Sequence, residues 1–155
     1  MHRFYMFALS AWLVLLAGCA GVATRDTASD GISPDGIVEP VPAPLMSENK
    51  AVVALLDRAQ SDTGAGRHEA AGASLERALR IEPRNPWLWH QLAQLRLSQG
   101  QYAQAVAVAR KSISFAGQDR RLLALNWRLI GDARVAQGDT PGAEKAYSTA
   151  EEYVQ

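Results

Sequence analysis

Apolar residues follow two different patterns along this chain. Over residues 4–17 they are almost continuous, broken mainly by Ser10 and preceded by His2 and Arg3. From Ser47 onward they recur at three- and four-residue spacing among alanine, leucine, arginine and glutamine, as in amphipathic helices. Residues 20–46, between the two, hold four of the seven prolines (Pro34, Pro40, Pro42, Pro44), and no period survives there. The spacing in the last region predicts helices at about 48–63, 67–81, 86–99, 102–115, 119–137 and 141–154. Asn85-Pro86 and Thr140-Pro141 read as N-cap followed by a proline at the first helical position. Gly66, Gly100 and Gly138 read as stops, where a positive φ is cheapest without a Cβ.

These elements repeat in pairs. Gly66 and Gly100 are 34 residues apart, and Gly100 and Gly138 are 38 apart. The same two offsets relate Ala71, Ala105 and Ala143; Ala59, Ala93 and Gly131; and Leu55, Trp89 and Trp127. A four-residue insertion around 117–121 accounts for the longer offset and is expected to lengthen the start of the fifth helix. The columns resemble the tetratricopeptide repeat, a helix–turn–helix unit. The middle unit matches through Trp89, Leu92, Ala93, Gly100, Tyr102 and Ala105. The first matches through Ala59, Gly66, Ala71, Leu75, Ala78 and Pro83, and the third through Trp127, Ile130, Gly131, Gly138, Ala143, Tyr147 and Ala150. Leu55, Arg58 and Ala109 depart from the family pattern. The resemblance implies an all-α fold, a right-handed α-α superhelix of three units at about 52–85, 86–119 and 124–155 within a domain at 47–155. The first helix of each unit then lines a concave wall.

The opening segment, 1–18, reads as a secretory signal, because its apolar run falls short of the ~20 residues that span a bilayer. It ends Leu16-Ala17-Gly18-Cys19, which resembles the bacterial lipobox. That resemblance implies cleavage before Cys19 and acylation of its thiol and new N-terminus. Several acyl chains anchor firmly, at ~0.8 kcal/mol per buried methylene. An ordinary signal peptide, with Cys19 an incidental thiol, is the alternative. By the same resemblance, Ala20 in place of aspartate favours the periplasmic face of the outer membrane in a Gram-negative cell. Residues 19–46 read as the lipidated cysteine and a disordered tether, roughly 30 Å long as a flexible coil. Docking of Ile37, Val38 and Val41 on the domain is the alternative.

Charge narrows the partner class. Sixteen basic and sixteen acidic residues leave no net charge, which gives no electrostatic basis for binding nucleic acid. One cysteine and three histidines cannot build a disulfide framework or a Cys/His zinc site within one chain, so no metal or cofactor is expected. No nucleophile–base spacing or phosphate loop points to catalysis. The family's inward positions transfer to Val53, Leu56, Gln60 and Thr63, to Trp87, His90, Gln94 and Leu97, and to Leu125, Arg128, Asp132 and Val135. Among them Trp87, His90, Gln94, Arg128 and Asp132 combine an aromatic anchor, hydrogen-bonding groups and charge, the mixture of interface hot spots. Blander readings stand beside each. Trp87 can pack on the turn at 84–86, His90 can be a core-edge histidine, and Arg128 and Asp132 can pair four residues apart. The family's carboxylate clamp maps onto Leu56, Gln60 and His90, which cannot form it.

The expected function is a membrane-anchored adaptor or scaffold whose wall takes a protein or peptide segment of an envelope complex. One alternative is a structural subunit of a secretin, pilus or outer-membrane assembly type, binding through its convex or end faces. A regulator of a cell-wall enzyme is the other. The polar outer face of the last helix is expected to end the array, leaving a monomer or a dimer.

Overall fold

A computed structural model describes residues 46–155; the segments read from sequence as signal, lipidation site and tether, up to residue 45, lie outside that range. Six helices follow, and none of the described residues forms a strand. They are α1 (Lys50–Gly64), α2 (His68–Ile81), α3 (Pro86–Ser98), α4 (Tyr102–Phe115), α5 (Arg120–Ala136) and α6 (Thr140–Glu152). Every predicted boundary falls within two residues of the observed one. The helices pair as α1–α2, α3–α4 and α5–α6 hairpins, which stack through α2 on α3 and α4 on α5. The result is the all-α solenoid of three units that the repeat columns imply.

Local chemistry sets the boundaries. Asn85 Oδ1 accepts from the amides of Trp87 and Leu88 at 3.0 and 3.4 Å, capping α3 ahead of Pro86. The reading of Thr140 as the cap of α6 is corrected. Asp139 does that work, accepting from the Gly142 amide at 3.0 Å, and Thr140 is already helical. An aspartate leaves the first turn a charged acceptor, the stronger cap. Each intra-hairpin turn places its glycine at φ 72°, 71° and 79° for Gly66, Gly100 and Gly138.

A side-chain pair also spans two of these turns, with its sign reversed. Asp62 is buried and receives Arg67 Nη2 at 2.7 Å and Nε at 2.8 Å. Seventy-two residues on, Arg134 Nε lies 3.8 Å from Asp139 Oδ2. Asp62 is therefore a turn clasp and not the ordinary surface acid that its place on an amphipathic helix implies.

The core is divided along the stack. Val52, Leu56, Leu75, Ala78, Leu88, Leu92 and Leu95 join hairpin one to α3. Ala93, Ala105, Ala109, Leu129, Ile130, Ala133 and Ala146 join hairpins two and three. Met46, assigned to the tether by composition, belongs to the first cluster at 4% exposure, so the folded part begins before Ser47. The insertion has the expected effect. Turns of equal length precede α3 and α5, and α5 gains one turn at 120–123. That turn buries Leu122 and Leu123 with Ala116, and Trp87 packs against this third cluster. Trp89 and Trp127 are half-buried against the first and second clusters respectively, as repeat positions should be.

Small residues matter most where paired helices cross. A Cβ added to Gly131 would lie 2.6 Å from Tyr147 Cδ1 and 2.8 Å from Cζ. The Tyr147 ring therefore lies on the bare backbone of α5. Its hydroxyl donates to Asp132 Oδ1 at 2.8 Å.

Candidate functional site

The five wall residues singled out in the sequence divide into three environments. Gln94 lines a trough between α1 and α3. Arg128 and Asp132 line a concavity between α5 and α6. Trp87 and His90 belong to the packed layer.

The trough has a volume of about 330 Å3. Leu56, Ala59, Leu75 and Leu95 make an apolar floor, and Gln60, Thr63, Gln91, Gln94 and Ser98 form the polar sides. No charged side chain lines it. The Gln60 and Gln94 amides offer both donors and acceptors at the rim, the complement of a polypeptide backbone, while the Thr63 and Ser98 hydroxyls already donate to the Ala59 and Leu95 carbonyls at 2.8 Å and present acceptors. Gln60, Thr63 and Gln94 are exposed, so these groups are accessible.

The second concavity, about 770 Å3, is lined by Arg128, Asp132, Tyr147, Ala150, Glu151 and the C-terminal pair Val154 and Gln155. Its position follows from the repeat. Arg128, Asp132 and Tyr147 stand 72 residues after Leu56, Gln60 and Leu75, three residues of the trough. The same corner of a hairpin is thus bordered by α3 in the first unit and by the C-terminal residues in the third. Its chemistry has changed, because two leucines have become arginine and tyrosine. Tyr147 is pushed up to about 12 by burial first, then by its hydrogen bond to the Asp132 carboxylate and by that charge, with Arg128 pulling the other way. Its hydroxyl thus stays protonated at neutral pH and donates to Asp132.

His90 is not on the wall. It is 3% exposed, and its Nδ1 lies 3.0 Å from Asn126 Oδ1. Asn126 Nδ2 donates to Ser112 Oγ at 2.8 Å and to the Leu122 carbonyl at 2.9 Å, which uses both its protons. Asn126 Oδ1 must therefore accept, and His90 carries its proton on Nδ1. Ser112 Oγ passes the chain on to the Pro86 carbonyl at 2.8 Å. Burial pushes the His90 imidazole below its ordinary range, with the Asn126 bond offsetting part of that shift. The ring is neutral and structural, and it ties α3 to α4 and α5.

Trp87 is likewise held from two sides, by the first and third clusters, and it meets the His90 ring edge-on at 6.1 Å. It is half-buried and is a poor free anchor. Both placements have a cause in sequence that an inward-position transfer does not register. Ser112 occupies a column otherwise filled by Ala78 and Ala150, and Asn126 occupies the column of Leu88. Polar residues in two apolar columns of adjacent hairpins are the signal of a buried pair. The added turn of α5 then covers Trp87.

Among the described residues no helix is long and apolar enough to cross a membrane, and no histidine, cysteine or carboxylate cluster could hold a metal ion. Residues 63–126 match a family model described as tetratricopeptide repeat. No curated protein matches the sequence. Among solved structures the chain is similar to the globular C-terminal domain of P. aeruginosa LpoP, with 47% identity and a TM-score of 0.65. That match covers 66% of this chain and 97% of the other, a domain solved without the rest of its protein. The paired helices, the repeat columns and this likeness agree, and the chain belongs to the tetratricopeptide-repeat family, alongside the globular domain of LpoP.

Proposed function

We propose that this protein is a lipid-anchored adaptor of the bacterial cell envelope. Acyl groups on Cys19 hold it to a membrane, and the wall of α1, α3 and α5 recruits a protein through an extended segment. The observation that carries this reading is the trough. It is an uncharged, amide-rimmed groove over an apolar floor, and it opens on the face that tetratricopeptide domains use for peptides. Such a groove takes apolar side chains on its floor and satisfies the backbone of the guest along its rim. Nothing in it favours a charged tail or a C-terminal carboxylate.

Gln94→Arg fills the trough with a cationic side chain from an exposed position, and Arg128→Glu reverses the charge of the neighbouring corner. Recovery of the partner from detergent-solubilised native membranes is expected to fall more than tenfold in the double variant, with helicity unchanged. Arg77→Glu, exposed on α2, is expected to leave recovery intact. Cys19→Ser should move the protein from the membrane fraction to the soluble one in the same preparation. Undiminished recovery by the wall variant contradicts the adaptor reading.

A second reading has its own observation. Val135 and Val154 are 56% and 52% exposed, and the larger concavity lies at the α5–α6 end of the stack. A structural subunit that docks through this end would lose its partner on Arg128→Glu alone and keep it on Gln94→Arg.

A further inference from the structure

The two edges of the stack carry their charges differently. At the intra-hairpin turns, 62–68, 96–102 and 134–140, every arginine is in an ion pair: Arg67 with Asp62 at 2.7 Å, Arg96 with Glu76 at 3.5 Å and Arg134 with Asp139 at 3.8 Å. The opposite edge holds the two inter-hairpin turns. With the helix ends that flank them, 80–86 and 110–121, these carry six cations against two carboxylates, Glu82 and Asp119. Both carboxylates meet neutral donors: Glu82 accepts from Ser47 Oγ at 2.7 Å and Asn85 Nδ2 at 2.6 Å, and Asp119 from the Leu122 amide at 2.9 Å. Three of the cations rest on aromatic rings. Arg84 Cζ lies 5.8 Å and Lys111 Nζ 4.7 Å from the centre of the Phe115 ring, and Arg120 Cζ lies 5.8 Å from that of Tyr153. All three are exposed, and none is in an ion pair with a described residue. A ring holds a cation in place without cancelling its charge. The chain ends at this edge, 46–50 and 151–155, add Lys50 against Glu48, Glu151 and Glu152, so the positive excess is centred on the turns.

The chain from Cys19 arrives at the same edge. Met46, the first described residue, accepts through its carbonyl from Asn85 Nδ2 at 2.8 Å, one position from Arg84. Twenty-six residues separate Cys19 from Met46, a length that as a flexible coil spans roughly 30 Å.

We propose that the edge formed by the inter-hairpin turns, with Arg84, Lys111 and Arg120 foremost, rests on an anionic lipid surface, so that the helices stand upright on the membrane. The proposal rests on reading Cys19 as the anchor, and it adds which way the domain faces. Anchoring keeps the edge close to the bilayer, where attraction screened over about 8–10 Å can act. Each cation brought to an anionic bilayer favours that position by about fivefold, so three suffice to orient a domain already held nearby. An acidic protein would suit the same charges, but only a bilayer is brought to this edge by the chain itself. The wall of α1, α3 and α5 then opens sideways, and its concavities stay accessible to a partner.

The test fixes the anchor independently of acylation. Residues 20–155, which include the whole folded domain and lack the only cysteine, carry an N-terminal hexahistidine and are held on vesicles by a nickel-chelating lipid. A fluorophore is attached through Gln118→Cys at the basic edge or Gln101→Cys at the opposite edge, both exposed positions. Quenching by a headgroup-borne quencher reports which edge meets the bilayer. On vesicles with one-third phosphatidylglycerol, quenching at 118 is expected to exceed that at 101 at least fivefold. Arg84→Glu with Lys111→Glu, phosphatidylcholine alone, or 0.5 M salt should each bring the two positions to within twofold. Arg84→Gln with Lys111→Gln should reduce the difference by more than half, and thermal melting verifies that both pairs of substitutions leave the domain folded. Equal quenching at the two positions on anionic vesicles overturns the proposal and leaves these cations to an acidic protein. A preference for 118 that survives on neutral lipid or in the charge-reversed variant overturns it too, because the point of attachment alone would then set the orientation. Natural acylation has no part in this experiment. Membrane release by Cys19→Ser and orientation by the basic edge therefore succeed or fail separately.

Discussion

Asn126→Ala is expected to lower the melting temperature by more than ten degrees while leaving both surface concavities unchanged. Asn126 is fully buried and makes three hydrogen bonds, one to α3, one to α4 and one to the Leu122 carbonyl of its own helix. Truncation leaves the His90 Nδ1 proton without its acceptor inside the protein, at about 1–3 kcal/mol for an orphaned buried group. It also opens a cavity, which adds to the loss. A total near 3 kcal/mol, at roughly 4 °C per kcal/mol for a domain of this size, gives the stated shift.

The same network sets a pH dependence. His90 has a lowered pKa in the native state, so it stays neutral where the unfolded imidazole, with its ordinary value of 6.5, takes a proton. Stability is therefore complete above about pH 6.5 and falls as the pH drops below it, by up to ~1.4 kcal/mol per pH unit for one proton. Denaturant melts between pH 8 and pH 5, compared with those of His90→Gln, read this slope directly. A native chain whose stability is flat across that range would contradict a buried neutral His90.

Gly131→Ala is expected to destabilise the domain by roughly 2 kcal/mol, against the usual direction for glycine within a helix. Helix propensity alone favours alanine by up to ~1 kcal/mol. Here the new methyl would meet the Tyr147 ring at under 3 Å, so the ring must leave its seat on α5 and give up its hydrogen bond to Asp132. Overpacking of this kind costs ~1–3 kcal/mol and outweighs the propensity gain. The test is a double-mutant cycle. In a Tyr147→Ala background the obstruction is gone, and Gly131→Ala should become neutral or stabilising. Destabilisation of the same size in both backgrounds would show that the ring is not the cause. The concavity lined by Arg128 and Asp132 is coupled to this contact, because Tyr147 donates to Asp132.

The two cases show what the sequence could and could not convey. Repeat spacing made the hairpins legible, because each turn glycine, each small crossing residue and each N-cap answers to local geometry. The extra turn of α5 was legible for the same reason, as four added residues make about one helical turn. Inward position, however, is a property of an average repeat. Leu56, His90 and Arg128 share one column, and they end up as trough floor, buried hydrogen-bond donor and exposed cation. What separates them is the neighbour across the hairpin interface. Asn126 draws His90 inward, and the Leu122–Leu123 turn covers Trp87, through contacts between residues 35 or more positions apart. Met46 failed for a related reason. A composition shift locates a boundary only to within a few residues, and one apolar side chain was enough to carry the fold past it.

The adaptor reading is tested most directly in the native envelope, with a photo-reactive amino acid placed at Gln94, at Arg128 or at Arg77 of the full-length chain. The account predicts covalent capture of the same protein from positions 94 and 128, and none from position 77 on the outer face of α2. Capture from position 77 with none from 94 or 128 would contradict it, and would move the working surface from the helix wall to the back of the stack.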